Sequence, residues 1–317
     1  MTDSALNRPH NYDVESIEAA FREVGLQQGD LLFLHVSLGR LGRCESRSSF
    51  SDIANLFIHC LEKQIGPTGT LLTPAFSYSI GRAEPFEPSH SPARVGEFGD
   101  LFLQQANRAR SQDPMISVAG VGPLCAPLFR DPPPTCHGVD SFFHRFCNYG
   151  GKLLMLGLGL HACTFLHHIE ELASSPFRFL KRFYGSIVED GVARFLHWDY
   201  FAAPIDLDNC RTDGRRLDRE LRQSGICKSA PLGRSEILCV LAEEFVQHGL
   251  RRSRQDPWFL AQGPPLHQDE IIEREERRLL FFSPDLARPE PGLAGLVRTL
   301  AFTRRWTVCP AIPAILG

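Results

Sequence analysis

The stretch Lys152–Glu171, KLLMLGLGLHACTFLHHIEE, constrains the fold of this 317-residue chain more than any other segment. It begins with the apolar run 153–156, bounded on both sides by glycines, which is typical of a strand covered on both faces. Thr164 suits the start of a helix, and Pro176 predicts that this helix ends near Ser175. The order of strand, glycine turn and helix favours an α/β fold.

His167 and Glu170 lie three residues apart, on one face of the predicted helix. A carboxylate beside an imidazole holds its tautomer and stabilises its protonated form, which is how a general base is equipped. The same spacing is common on solvated helix faces, and a structural role is the plainer interpretation. The position favours chemistry, because polar groups that follow a buried strand lie where open α/β folds place their sites.

Composition is that of a globular protein, with 43% hydrophobic and 22% charged residues. A net charge of −3 argues against a general nucleic-acid binder, whose phosphate contacts need a basic surface. No apolar run reaches the roughly 20 residues that span a bilayer, and no signal-peptide core is present at the start. The ten cysteines form no CxxC pair, which predicts reduced thiols in a cytoplasmic protein. Zinc-ligand spacing is not recognisable, so no metal is expected.

Helices alternate with apolar strands in the first part of the chain. An amphipathic helix over 13–25 precedes the strand Leu31–Val36, and a helix over about 51–64 precedes the strand Thr70–Pro74. This order predicts a three-layer α/β fold with a central mixed, largely parallel sheet. No GxGxxG or GxxxxGK[ST] motif is present, so nicotinamide and nucleoside-triphosphate binding lose their usual support.

Six short motifs, taken in order, resemble those of the aminoglycoside 3-N-acetyltransferase family, antibiotic acetyltransferases that lack the GNAT fold. They are HVSL at 35–38, GPTGTLLTPAFS at 66–77, FEPSHSP at 86–92, RSQDPMISVA at 110–119, GKLLMLG at 151–157 and TFLHHIE at 164–170. Each is weak alone, but six in the correct order are specific. The resemblance implies an acyl-CoA-dependent N-acyltransferase that uses acetyl-CoA or another acyl-CoA.

The resemblance also implies roles for individual residues. His167 would be the general base that removes a proton from the acceptor amine, and Glu170 would orient it. Thr73 matches a family threonine that lies near the thiol end of CoA; an ordinary strand threonine is the alternative. Backbone amides in the turn after the first strand are candidates to stabilise the thioester oxygen; they belong to Ser37, Leu38 and Gly39.

The acceptor side of the site departs from the drug-modifying members of the family. Asp113 stands where they often have a histidine, and we expect Asp113 and Tyr78 to contact the acceptor. Ser117 would either bond the donor or close the Asp113 turn. The departure looks more like relatives associated with surface-sugar biosynthesis. We therefore expect an amino-sugar acceptor, free or nucleotide-linked, rather than an aminoglycoside drug.

We expect residues 1–205 to form the acyltransferase core and residues 206–317 to add a helical or irregular region packed on the same domain. Alternation predicts strands over 177–188 and 192–201, and apolar spacing predicts an amphipathic helix over 234–248. The last third would shape the acceptor pocket or an oligomer contact. The alternative functions are an aminoglycoside resistance enzyme, or a CoA- or carbohydrate-binding protein without turnover, which would bind ligand but form no product.

Overall fold

The computed structural model describes residues 11–130, 135–267 and 269–271. Its strands are β1 (Asn11–Tyr12), β2 (Leu31–Val36), β3 (Arg43–Cys44), β4 (Thr70–Pro74), β5 (Ala109–Arg110), β6 (Val118–Val121), β7 (Lys152–Leu156), β8 (Phe179–Glu189), β9 (Val192–Ala202), β10 (Lys228–Leu232) and β11 (Ser235–Leu241). Its helices are α1 (Val14–Glu23), α2 (Phe50–Ile65), α3 (Glu97–Leu103), α4 (Cys125–Phe129), α5 (Phe142–Asn148), α6 (Phe165–Leu172), α7 (Arg215–Gln223) and α8 (Ala242–Gln255). The sequence also predicts a proline-rich connector over 131–134 and a highly charged helix over 269–278. The connector and most of that helix lie outside the described residues.

Seven strands form a central sheet in the order β10-β11-β7-β2-β4-β6-β5. The pairs β7–β2 and β2–β4 are parallel, whereas the pairs outward from them are antiparallel. The α/β class and the mixed sheet are thus confirmed. Parallel pairing is confined to the three central strands, which is less than the sequence predicts, because antiparallel strands extend the sheet on both sides.

Helices cover both faces of this sheet and make three layers. Leu32 and Leu34 of β2 pack into one core with residues of α1 and α2, while Phe33 packs into a second core with α5, α6 and α8. Side chains alternate between the two faces along a strand, and helices cover both faces, so the apolar side chains of β2 are buried on either side of the sheet. His35 follows Phe33 on the same face, and the two rings lie 4.9 Å apart. The strand therefore carries one polar side chain toward α6.

The predicted hairpin is confirmed: β8 and β9 pair antiparallel around Asp190 and Gly191, both with positive φ. The helix predicted over 234–248 is wrong in its first half. Residues 235–241 form β11, which pairs antiparallel with β7, and the helix begins only at Ala242. Pairing with the buried edge of β7 outweighs the local helical spacing.

Residues on both sides of position 205 contribute to the same sheet, since β10 and β11 extend it beyond β7. Helix α8 packs against α6, and Phe245 and Val246 join the core that α5 and α6 also line. The division at 205 stays a prediction, and the shared sheet supports the expected packing of the last third on the same domain. Among the described helices, none combines the length and the apolar character needed to cross a membrane.

Candidate active site

The carboxyl ends of β2, β4 and β7 meet at one edge of the sheet, because these three neighbours run parallel. The turn after β7 leads through a short 3-10 helix, Leu160–Ala162, into α6. Gly157 in this turn has φ 69°, and an added Cβ would lie 2.6 Å from the Ser37 carbonyl. Glycine is therefore required where the β7 turn crosses the β2 turn.

His35 fastens the start of α6 to the end of β2. Its Nε2 lies 2.6 Å from the Thr164 hydroxyl and accepts the Thr164 backbone N–H at 3.1 Å. An acceptor Nε2 places the proton on Nδ1, and burial lowers the pKa of His35 to about 3, so the ring is neutral. His35 is therefore a structural core residue, and its contacts fix the position from which α6 begins.

His167 and Glu170 come together as the sequence predicts. His167 Nδ1 lies 2.8 Å from Glu170 Oε2, and the Glu170 side chain is fully buried whereas that of His167 is 34% exposed. Burial alone would raise the pKa of Glu170, but Arg178 and His167 hold it below its usual value. The arrangement is an ionised, buried carboxylate under a partly exposed imidazole, which is the geometry of an oriented base.

Two residues that sequence reasoning missed complete the surroundings of Glu170. Arg178 Nε lies 2.6 Å from Glu170 Oε2, and the Thr212 hydroxyl donates to Oε1 at 2.8 Å. Arg178 also donates to the Thr212 hydroxyl at 2.6 Å and to the Phe201 carbonyl at 3.2 Å. No spacing pattern links these positions, because they arrive from the turn after α6 and from the last third of the chain.

The contacts around His167 select its tautomer. Arg178 Nη2 lies 3.2 Å from Nδ1, but a guanidinium only donates, so this contact would need a bare Nδ1. The Glu170 carboxylate only accepts, and its contact is shorter and charged on the acceptor side. We therefore assign the proton to Nδ1, which leaves Nε2 of His167 as the basic nitrogen.

A second imidazole borders the site and was also missed. His137 is buried, and its ring centroid lies 5.3 Å from that of His167 and 4.9 Å from that of Phe143. Burial, and then the nearby His167 and Arg178, hold the pKa of His137 well below its usual value, so this ring is neutral. His168 is buried and contacts the His137 carbonyl through Nδ1, which is a structural role.

The turn after β2 offers fewer free amides than expected. The Ser37 amide donates to the Leu156 carbonyl at 2.9 Å, so this N–H is not available to a thioester oxygen. Leu38 is buried, and Gly39 is exposed with open space around an added Cβ. The predicted oxyanion role thus remains for the amides of Leu38 and Gly39, while Ser37 holds the turn.

The two predicted donor-binding residues of the neighbouring strands are both buried. Thr73 is 2% exposed in β4, opposite Ala119, and its predicted role near the CoA thiol stays a prediction. The Ser117 hydroxyl donates to the Ala75 carbonyl at 2.7 Å and accepts from Arg110 Nε at 3.1 Å. Since both contacts tie the chain to itself, Ser117 closes the fold and its predicted contact with the donor is not supported.

Asp113 is held by contacts within the protein. It is buried, and its Oδ1 accepts from the Tyr200 hydroxyl at 2.6 Å and from the amides of Met115 and Ile116. Burial raises the pKa of Asp113, and these donors offset part of that rise. These contacts give Asp113 a structural role, and its expected contact with the acceptor stays a prediction. Tyr78 is 38% exposed with φ 54°, and its predicted acceptor contact stays a prediction.

The sequence profile of the family described as aminoglycoside 3-N-acetyltransferase matches residues 33–253. The aminoglycoside N(3)-acetyltransferase IV of a Salmonella species is 30% identical over 245 residues, which are 74% of this chain and 89% of that protein. The aminoglycoside N(3)-acetyltransferase III of Enterobacter cloacae is 34% identical over 186 residues, 51% of this chain and 61% of that protein.

Solved structures show the same fold. The ligand-free crystal structure of aminoglycoside acetyltransferase AAC(3)-IVa has a TM-score of 0.67 and 25% identity, covering 84% of this chain and 98% of that one. A structure of AAC-IIIb with CoASH has a TM-score of 0.66 and 22% identity, covering 80% of this chain and all of that one. Because the profile covers more than half of this sequence, the chain belongs to the aminoglycoside 3-N-acetyltransferase family, whose members are acetyl-CoA-dependent N-acetyltransferases.

Proposed function

We propose that this protein transfers an acetyl group from acetyl-CoA to an amine of an aminoglycoside, with His167 as the general base. The observation that carries the proposal is the 2.8 Å contact of His167 Nδ1 with the buried Glu170 carboxylate at the catalytic edge of the sheet. Support also comes from relatives, since AAC(3)-IVa variants have been solved with gentamicin and with apramycin. We choose an aminoglycoside acceptor, rather than an amino sugar of surface-sugar biosynthesis, because these relatives bind aminoglycosides.

The chemistry needs a base because the acceptor amine must lose a proton as its nitrogen attacks the thioester carbon. His167 Nε2 takes that proton and becomes an imidazolium, which the Glu170 carboxylate stabilises through Nδ1–H. The carbonyl oxygen gains charge in the tetrahedral intermediate, and the amides of Leu38 and Gly39 are the proposed donors to it. Collapse breaks the carbon–sulfur bond and forms the amide. The leaving thiolate takes a proton from the His167 imidazolium, which releases CoA as the thiol and restores the neutral base.

Glu170 can serve this role only if it stays ionised in a buried place. Arg178 at 2.6 Å and the Thr212 hydroxyl at 2.8 Å hold both of its oxygens. These contacts orient the carboxylate and offset the cost of removing its charge from water. Arg178 and Thr212 are therefore positioning residues that act through Glu170.

The test measures CoA release from acetyl-CoA with gentamicin, apramycin and kanamycin-type acceptors, for the wild type and His167→Gln. We expect His167→Gln to lower kcat by roughly 10²–10⁴, the usual contribution of a general base. Thermal melting should still show stabilisation by acetyl-CoA, about 2.7 kcal/mol at 100 times its Kd. An unchanged kcat in His167→Gln would remove the assignment, and no melting shift in either protein would remove the donor.

A nucleotide-linked or free amino sugar is the second candidate acceptor, and one observation favours it. Two carboxylates near the site residues are already paired with arginines: Asp199 with Arg182 at 2.7 Å and Asp213 with Arg215 at 2.6 Å. An aminoglycoside is a polycation and binds best to free carboxylates. An amino sugar that has a single amine, or that is linked to an anionic nucleotide, does not need free carboxylates for binding.

Arginine removal distinguishes the two acceptors. Arg215→Gln should free Asp213 and raise kcat/KM for an aminoglycoside by a few fold, while kcat/KM for an anionic sugar nucleotide should not rise. Arg22→Gln, a change of an exposed α1 arginine, is the matched control. A wild type that turns over a uridine-diphosphate amino sugar faster than any aminoglycoside would establish the second candidate.

The thiols fit a reducing compartment. The nine cysteines of the described part of the chain are free and mostly buried. Unpaired cysteines persist in cytoplasmic proteins, where thiols are kept reduced. We therefore propose the cytoplasm as the site of action, where acetyl-CoA is available.

A further inference from the structure

Three side chains with metal-binding donors converge beside the active site without belonging to it. Cys136 and His137 precede α5, and Glu171 lies on α6 next to Glu170. The Cys136 sulfur, a His137 ring nitrogen and a Glu171 oxygen all lie within 4.8 Å of one another. Among the described residues, this is the one group of three or more histidine, cysteine or acidic donors at such distances.

We propose that Cys136, His137 and Glu171 bind a Zn²⁺ ion. One thiolate, one imidazole and one carboxylate form a mixed set that zinc accepts, with bonds of about 2.0–2.3 Å. Donor atoms that lie a few ångströms apart need only small adjustments to reach the edge lengths of a tetrahedron around such bonds. No fourth donor of these types joins the group within the described residues, so water completes the coordination.

The donors are already held by contacts outside the proposed coordination sphere. The Cys136 amide donates to the Asp199 carbonyl at 3.2 Å, and the His137 amide donates to Glu171 Oε2 at 3.2 Å. Thr135 hydrogen-bonds the Glu171 carboxylate, and His168 contacts the His137 carbonyl. Outer contacts of this kind orient metal ligands, so little ordering remains for the ion to impose.

One nitrogen of this group has no hydrogen-bond partner among the described residues. His137 Nδ1 touches the Cys136 sulfur at 2.9 Å, but Nε2 is buried and has no partner in the described part of the chain. Glu171 is partly buried, and its Oε2 accepts the His137 amide N–H. Buried polar groups and buried carboxylates normally have partners, and a dication between them supplies one for each donor.

A small cavity borders one of the three donors. Its volume is about 20 Å³, and Cys136, Asp113 and Phe143 are part of its wall, whereas His137 and Glu171 are not. That volume is close to what one water molecule occupies. Side-chain packing therefore leaves room for one water-sized species next to Cys136.

This proposal does not rest on the proposed function, because it uses Glu171 and leaves the His167–Glu170 pair intact. The ion would nevertheless lie near that pair, since the His137 and His167 rings are 5.3 Å apart. Cys136 and His137 are adjacent, but Glu171 follows His137 by 34 residues and no CxxC spacing is present, which is why the sequence alone predicts no metal.

The test titrates metal-free, full-length protein with Co²⁺, whose bond to a thiolate gives a near-ultraviolet charge-transfer band. We expect a saturable band that Zn²⁺ abolishes by displacement. Cys136→Ser should lose the band. Glu171→Gln should weaken Co²⁺ binding at least about tenfold, because even mutation of a residue that only contacts a metal ligand costs about 10- to 100-fold in affinity. Cys147→Ser, which changes a thiol on α5 outside the group, should keep the band.

Several outcomes would overturn the site. They are the absence of a saturable band in the wild type, an undiminished band in Cys136→Ser, and loss of the band in Cys147→Ser alone. Far-ultraviolet circular dichroism establishes that each variant is folded. If Cys136→Ser does not fold, Glu171→Gln decides, since equal Co²⁺ affinity in that variant and the wild type contradicts the proposal.

Discussion

At the scale of single residues, Glu170 is where burial and charge oppose each other most directly. Its side chain is fully buried, yet Arg178 and His167 keep its pKa below the usual value. A buried ion pair rarely adds stability over an apolar pair of the same shape, but removal of one partner is costly. The group is therefore better explained by the orientation of His167 than by stability alone.

Replacement of Glu170 by glutamine should affect both activity and stability. Glu170→Gln leaves the Arg178 guanidinium buried without its counter-charge, so we expect a loss of about 3–5 kcal/mol in the free energy of unfolding. The imidazolium of His167 also loses its stabilising charge, so kcat should fall by at least roughly 10². Urea unfolding and the CoA-release assay measure the two effects.

Glu244→Gln is the matched control, because Glu244 is an exposed carboxylate on α8. It should change the free energy of unfolding by less than about 0.5 kcal/mol, as surface substitutions usually do. Equal losses in the free energy of unfolding in the two glutamine variants would show that the Glu170–Arg178 contact contributes no more to stability than an exposed carboxylate does.

The lowered pKa of Glu170 predicts a dependence of stability on pH. A carboxyl whose folded-state pKa lies below its unfolded value stabilises the fold above the unfolded pKa, about 4.3 for glutamate, and loses this contribution as the pH falls through the folded pKa. The stability difference between the wild type and Glu170→Gln should therefore shrink between pH 6 and acid below about pH 4. Urea unfolding across this range measures it, and a constant difference would contradict the shift.

At the scale of elements, β11 shows how tertiary pairing overrides local pattern. Ile237, Val240 and Leu241 have helical spacing, but the continuous apolar run 237–240 also suits a strand covered on both faces. In the structure Leu238 pairs with Met155 and Cys239 with Leu154, across more than 80 residues of chain. Local periodicity cannot reveal that partner, and therefore the helix was predicted to begin too early.

Two leucine-to-alanine changes in β11 test this strand. Leu238 is fully buried, whereas Leu241 at the strand's end is 40% exposed. Leu238→Ala should cost about 2–5 kcal/mol of the free energy of unfolding, and Leu241→Ala clearly less. In the continuous helix predicted from the sequence, Leu241 faces inward. A larger loss at Leu241 than at Leu238, measured by urea unfolding, would contradict the strand.

At the scale of the whole molecule, the last third completes both the sheet and the candidate site. β11 covers the edge of β7, and Thr212 binds Glu170 from a segment far along the chain. The His167–Glu170 pair could be predicted because three residues of helix bring it together. Arg178, Thr212 and His137 could not, because only the assembled fold places them there. The sequence position of Asp113 likewise does not reveal the Tyr200 hydroxyl that donates to it.

A chain that ends at residue 205 should therefore not fold as an independent core. It lacks β10, β11, α8 and Thr212, so the apolar edge of β7 and the α6 face that α8 covers would be exposed. We expect no cooperative thermal transition and no stabilisation by acetyl-CoA, measured by calorimetry against the full chain. A cooperative transition in the truncated protein would instead support two separable regions.

The position of β7 between β2 and β11 has a consequence for synthesis on the ribosome. β7 ends at Leu156 and its outer neighbour ends at Leu241, so the partner emerges only 85 residues later. At about 5–20 residues per second, this interval lasts roughly 4–17 s. Throughout it the nascent chain presents an apolar, unpaired strand edge, the kind of surface that other chains can pair with. Translation speed over residues 157–241 and chaperone supply should thus govern the yield of soluble enzyme.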